Sequence, residues 1–101
     1  MDPIALSQTE TIVRRVLDQW KPYGWGAGAA RHIDLSAEAH AVAGKLDLVE
    51  TPDDAATLVA ATLSAYYPEC EERFTRYTCT SVGTRLYREL HAARMLPSQL
   101  A

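Results

Sequence analysis

An all-α fold, a compact bundle of four to five short helices in one domain over residues 1–101, is what this sequence predicts. Three observations lead there. Apolar residues recur at three- and four-residue spacing in successive stretches, which puts their side chains on one face of a helix. Sixteen residues are alanine, which gives up no side-chain entropy on entering a helix. No stretch alternates apolar and polar residues for long enough to make a half-buried strand.

The first helix is predicted from Ser7-Gln-Thr-Glu10, which has the capping-box pattern. The Ser7 hydroxyl would accept from a first-turn N–H while Glu10 reaches back to the Ser7 N–H. Behind it Ile12, Val13, Val16, Leu17 and Trp20 form one apolar stripe, with Arg14, Arg15 and Asp18 on the solvent side. Pro22 is expected to end this helix, because the residue before a proline is pushed out of the α region. From Pro22 to Ile33 the chain reads as irregular or at most a short helix, with Gly24, Gly26 and Gly28 free to take positive φ.

A second helix is expected from Ser36, as N-cap, to Val49, with Leu35, Ala39, Val42, Ala43, Leu46 and Val49 at helical spacing. Gly44 in its middle would cost about 1 kcal/mol relative to Ala, so it reads as a close-packing position. Thr51-Pro-Asp-Asp54 is the clearest local signal. Thr51 suits an N-cap, Pro52 the first helical position, and Asp53 and Asp54 the positive end of the helix dipole. The third helix carries Ala55, Leu58, Val59, Thr62, Leu63 and Tyr66 on one face and should stop near Tyr67, before Pro68. By the same logic Pro68-Glu-Cys-Glu-Glu72 starts a fourth helix, with Cys70, Phe74 and Tyr77 on its apolar side. The run from Thr78 to Thr84 is poor in helix formers and predicts a break or kink. A last helix from about Ser81 to Met95 carries Val82, Leu86, Leu90 and Ala93.

Composition bounds the function. A chain of 101 residues buries enough surface to fold without a metal or a disulfide. Its net charge of −3 argues against nucleic acid as the main partner, since neutralising phosphates needs a basic face. The first residues lack the basic region and long apolar core of a signal peptide, and no apolar run reaches the ~18 residues that span a bilayer. The expectation is a cytoplasmic protein, away from the membrane, with Cys70 and Cys79 as free thiols.

The stretch from Trp20 to Gly28 sets three aromatic rings among three glycines. Trp20 belongs with the core, whereas Tyr23 and Trp25 are candidates to anchor a partner, because Trp, Tyr and Arg dominate interface energetics. Arg73, Arg76, Arg85, Arg88 and Arg94 make the last third locally basic, a solvated face paired with Glu69, Glu72 and Glu89 or an arginine patch for an acidic protein surface. Arg85, Tyr87 and Arg88 join Tyr23 and Trp25 as candidate protein-binding residues. His32, His40 and His91 with the two cysteines match no closed metal-ligand spacing, so neither a metal nor another cofactor is expected. Cys79, His91 and Glu89 supply the residue types of a nucleophilic enzyme without a local signature, and no phosphate-cradling glycine pattern occurs.

Trp20-Lys-Pro-Tyr-Gly24, closing an amphipathic helix, resembles a family of small, uncharacterised bacterial helical proteins in which a Trp-Asp-Pro-Ile-Gly type motif ends the first helix. The likeness covers about the first two-thirds of the chain and rests on Trp20, Pro22 and Gly24. Lys21 stands where that family has an acid, and the tyrosine-containing acidic segment that follows there is absent here. The resemblance implies an all-helical cytosolic fold without catalytic residues. The resulting expectation is a non-catalytic protein-binding or regulatory module of adaptor, immunity, antitoxin or inhibitor type. Its partner would be another protein or a second copy in a homodimer. The alternative is a nucleic-acid-binding regulator that uses the Arg-rich C-terminal helices.

Overall fold

The structure, a computed structural model, describes residues 3–24, 35–68 and 74–96. Among them the chain forms α1 (Pro3–Gly24), α2 (Ser36–Ala43), α3 (Pro52–Tyr66) and α4 (Thr80–Ala92), with a 3-10 turn at Leu46–Leu48 between α2 and α3. The described residues contain no strand, as the all-α reading requires. Helix α1 packs against α2 and α4, and α3 packs against α4 and α2, so each helix has two neighbours around one core.

The core is the meeting of the predicted stripes. Val13, Val16 and Leu17 of α1 are fully buried, with Ile12 and Trp20 half-buried against them. Leu35, Ala39, Val42, Leu46 and Val49 come from the second stretch, Ala55, Val59 and Leu63 from α3, and Val82, Leu86 and Leu90 from α4. Each large aliphatic side chain taken fully out of water contributes about 1.5–3 kcal/mol, which is why the stripes decide the fold. Leu58 and Thr62 are buried as expected, whereas Tyr66 is 47% exposed at the end of its helix.

Thr51-Pro-Asp-Asp54 folds as read. The Thr51 hydroxyl accepts from the Asp54 N–H at 3.1 Å, and Asp54 Oδ2 accepts from the N–H groups of Thr51 at 3.1 Å and Glu50 at 3.0 Å. This is a capping box with aspartate in the acid position. The helix ends at the Tyr67 C-cap, before Pro68.

Several expectations are corrected. The capping box at Ser7 does not form, because α1 already starts at Pro3, whose fixed φ suits a first helical position. Ser7 then lies inside the helix, where its carbonyl accepts from the Thr11 hydroxyl at 3.0 Å. Glu10 instead accepts from His40 Nδ1 on α2 at 2.5 Å. The same helix does not end before Pro22 but runs through it to Gly24. Proline withholds one N–H and biases its predecessor, and a last turn begun by a core-packed Trp20 outweighs that bias.

The second helix ends at Ala43, with Gly44 as its C-cap and the 3-10 turn carrying Leu46 into the core. Leu35, not Ser36, occupies the N-cap position, and no side chain caps there. Gly44 is exposed, and a Cβ on it would meet nothing closer than the His40 carbonyl at 3.5 Å. Finally, Phe74–Cys79 is a series of bends and turns, so the expected helix after Pro68 has no described helical residue beyond Phe74; residues 69–73, with Cys70, lie outside the described residues. Phe74 is buried as expected, but Tyr77 is 77% exposed, off any apolar side.

Helix α4 starts within the threonine-rich run, at Thr80, and closes through Arg94 at a positive φ of 58°. The Met95 N–H reaches the Leu90 carbonyl at 2.9 Å and the Arg94 N–H reaches the His91 carbonyl at 3.1 Å. These are the two bonds of a Schellman motif, normally built on glycine. Met95 packs on the core cluster and Leu96 is fully buried within it, which offsets the strain of a non-glycine residue in that region.

The close-packing glycine is Gly83, in the run where a helix break is expected from sequence. A Cβ there would lie 2.5 Å from the Ala56 Cα and N, inside any real contact distance. Gly83→Ala should therefore destabilise by about 1–3 kcal/mol, despite a helix-propensity gain of about 1 kcal/mol. Gly44→Ala makes only ordinary van der Waals contact at αR geometry and should be neutral or stabilising by about 0.5 kcal/mol. Urea unfolding of both variants checks the contrast, and equal effects would remove the close-packing assignment.

The Glu50 N–H, followed by the Thr51 hydroxyl and N–H, holds the Asp54 carboxyl below its ordinary value of 3.8. A depressed carboxylate pKa stabilises the fold above the unfolded value and stops doing so as pH falls through the folded one. The stability difference between wild type and Asp54→Ala should thus be present at neutral pH and shrink as pH drops below 3.8. Urea midpoints at pH 7 and pH 3 measure it; an unchanged difference would remove the charge from the account.

Candidate interaction surface

The outward faces of α1 and α4 meet along a seam of polar side chains. The apolar stripe of each helix turns inward, which leaves Thr11, Arg14, Arg15 and Gln19 outside on α1 and Ser81, Arg85, Arg88 and Ala92 outside on α4. Positions 81, 85, 88 and 92 recur at helical spacing, so they form one row along α4.

Glu89 organises the seam. Its Oε1 accepts from Arg15 Nη2 at 2.7 Å across the two helices, and its Oε2 lies 3.4 Å from Arg85 Nε one turn earlier. Arg85 also donates to the Gln19 side-chain oxygen. Arg15 and Arg85 remain about half exposed, so each of these contacts contributes little to stability, about 0.2–1 kcal/mol. Their effect is geometric. Two guanidinium groups are held side by side on a fixed helix pair, with part of each fork facing water. Arg14 lies 3.8 Å from Asp18 on the same side of α1.

Of the sequence-predicted site residues, the structure brings Arg85, Tyr87 and Arg88 onto α4. Arg85 is in the seam, and Arg88 is exposed with no ion-pair contact to another described residue within 4.0 Å. Tyr87 is half-buried against the core, and its ring stacks on His91 at 5.7 Å between centroids. It is a wall of the surface more than an anchor. Tyr23 falls in the last turn of α1, but its side chain, like Trp25, lies outside the described residues. Arg73, Glu69, Glu72 and His32 lie outside them too.

Sequence reading missed the parts of the seam that α1 supplies, Arg15 and Gln19. Arg15 reads as a solvated residue and Gln19 carries no signal of its own, because the partners on α4 are 74 and 66 positions away. It also missed Tyr77. The Phe74–Cys79 segment is tied to α3, with the Ser64 hydroxyl donating to the Phe74 carbonyl at 3.1 Å and the Tyr67 ring against Phe74. Reciprocal bonds stiffen it: the Thr75 N–H reaches the Thr78 hydroxyl at 2.9 Å, and the Thr78 N–H reaches the Thr75 hydroxyl at 3.2 Å. Tyr77 stands on this turn, with the Arg76 guanidinium 4.9 Å from its ring centroid and donating to its hydroxyl at 3.0 Å. Cation–π contact and hydrogen bond together hold the exposed ring in place.

The trio Cys79, His91 and Glu89 does not assemble. Cys79 is fully buried at the N-cap of α4, while His91 is exposed near its other end, about 18 Å along the axis at the helical rise. Glu89 is turned to the arginines. Among the described residues no three His, Cys, Asp or Glu side chains converge on a metal position, and no helix is long and apolar enough to cross a membrane.

Burial pushes the Cys79 thiol up, against a smaller opposite effect of the Thr78 hydroxyl, and the thiolate is the reactive form. In a Cys70→Ser chain, Cys79 should react with a thiol reagent at neutral pH only as fast as the fold opens. Labelling that speeds up in step with added urea fits; fast labelling of the folded chain contradicts a buried, inert thiol.

Searches against protein-family models, curated proteins and solved structures return no match to this chain.

Proposed function

We propose that this chain is a small, non-catalytic protein-binding or regulatory module of the cytoplasm that docks through its α1–α4 face. The observation that carries the reading is the pair of guanidinium groups of Arg15 and Arg85, held side by side by Glu89 and Gln19, with Arg88 exposed next along α4. Pre-positioned arginines suit a carboxylate-bearing surface, because a planar fork recognises a carboxylate through two parallel hydrogen bonds and loses little freedom in doing so. Tyr87 lies beside them on α4, and Tyr23 and Trp25 are the further aromatic anchors that the sequence offers. Protein is favoured over nucleic acid because Glu89 and Asp18 place negative charge inside the patch, where a phosphate backbone would meet it. The net charge of −3 acts in the same direction.

The test is capture of partners by the tagged chain, wild type against Arg85→Glu/Arg88→Glu and Tyr23→Ala/Trp25→Ala, each first shown to be folded by circular dichroism. One stoichiometric protein lost from the arginine variant, with at least tenfold weaker binding when re-measured with the purified partner, is expected. Retention by both variants would overturn the site. Salt-sensitive binding of random DNA by the wild type, lost in the arginine variant, would replace the protein reading with the nucleic-acid one.

A further inference from the structure

The α4 face has a complement on the same molecule, on the far side of the core. Ser81, Arg85 and Arg88 give α4 an outward row that carries two cations, and Tyr77 stands 77% exposed on the turn that leads into the helix. The connection from α2 to α3 presents the opposite chemistry: Leu48 is 63% exposed on the 3-10 turn, with Asp47 beside it and Glu50 and Asp53 exposed just beyond. Neighbouring helices pair as α1–α2, α2–α3, α3–α4 and α4–α1, so the α1–α4 seam and the α2–α3 edge lie across the core from each other. They cannot satisfy each other within one chain.

Resting on the reading that the arginine face docks protein, we propose that one occupant of the α4 face is the α2–α3 connection of a second copy of this chain. Leu48 packs on the Tyr77 ring while Asp47 and Glu50 pair with Arg85 and Arg88. Both apolar groups stand exposed, and both charge sets lie on rigid elements. The 3-10 turn is pinned by buried Leu46 and by the Thr51–Asp54 capping box, and Tyr77 by its threonine turn and Arg76. Little ordering therefore accompanies association. Because the two surfaces differ, the contact is head-to-tail and leaves a free copy of each at the ends of the pair. It adds further copies in proportion to concentration and does not stop at a symmetric dimer. Exposed charge pairs make it sensitive to salt.

The experiment is sedimentation equilibrium of three chains over a range of concentrations at low and high salt. The first is wild type, the second Asp47→Asn/Leu48→Ala/Glu50→Gln, and the third Tyr77→Ala/Arg88→Gln. The third leaves the ties of Arg85 to Glu89 and Gln19 intact, and circular dichroism verifies each fold. Wild type should gain mass steadily with concentration, with association about tenfold weaker at high salt. Each variant alone should be a monomer. An equimolar mixture of the two should form a capped one-to-one dimer, since each retains the surface the other lacks. Starting from a net charge of −3, loss of two acids leaves one variant at −1 and loss of one cation takes the other to −4. Both stay acidic, so bulk attraction cannot mimic the result. A monomeric wild type at every concentration, variants that still associate alone, or a mixture that stays monomeric would each overturn the proposal. If the chain is monomeric but the arginine variant still loses a captured partner, self-docking fails and the protein-binding reading survives. If both experiments fail, so do both readings.

Discussion

The approach of α3 to α4 at Ala56 and Gly83 is the constraint on which the rest of this fold depends. A virtual Cβ on Gly83 would sit on the Ala56 backbone, so the two helices touch main chain to side at that level. The flanking residues fill the space above and below, with Ala55, Val59 and Ala60 on α3 and Val82 and Leu86 on α4 all buried. Cys79 is buried at the same end because the chain must enter α4 tight against the core. This proximity fixes the rotation of α4. With Val82, Gly83, Leu86 and Leu90 committed inward, positions 81, 85 and 88 have only the solvent side left.

From that rotation the electrical layout follows. Arg85 and Glu89 are one turn apart on α4 and come level with Arg15 and Gln19 of α1, so one carboxylate serves two guanidinium groups. Exposed pairs of this kind hold side chains in register without adding much to stability. The acids of the α2–α3 connection are used differently. Asp54 is consumed by the helix start, its carboxylate turned back on the N–H groups of Glu50 and Thr51, while Asp47, Glu50 and Asp53 remain outside. A mildly acidic chain thus carries a cationic face on α1 and α4 and an anionic corner opposite. Net charge alone describes neither.

Local signals were legible where nothing distant competed with them. Thr51-Pro-Asp-Asp54 determines its own geometry within one turn, and the apolar stripes of α1, α3 and α4 point inward whatever their partners are. Ser7-Gln-Thr-Glu10 failed because its signal was local but a competing helix start lay four residues upstream at Pro3 and a better acceptor role for Glu10 existed at His40, thirty residues on. Gly44 and Gly83 exchanged roles for a related reason. A glycine ending a helix and a glycine admitting another helix look alike in sequence, and only the location of Ala56 distinguishes them. The arginines that α4 brings to the candidate surface were legible as a group, whereas Arg15 was not. Their selection into a seam was not, since it needs the α1–α4 contact.

The threonine-rich run shows why propensity misjudged the C-terminal third. Thr75 and Thr78 do compete with helix by bonding each other's backbone N–H, as short hydroxyl side chains are apt to do, and the segment up to Cys79 stays in turns. Yet Thr80, Ser81, Val82 and Gly83 are helical, although none favours helix strongly. Their propensity costs run from a few tenths of a kcal/mol for Thr, Ser and Val to about 1 kcal/mol for Gly, and burying Val82 and Leu86 outweighs them. The turn must finish within Phe74–Cys79 because Phe74 is anchored on Tyr67 and Ser64 while Gly83 must reach Ala56. Between those two fixed points there is room for one tight turn, and its outermost residue has no core left to enter. Tyr77 is exposed for that reason: the packing that brings α4 onto α3 also leaves an aromatic ring outside on the turn that precedes it.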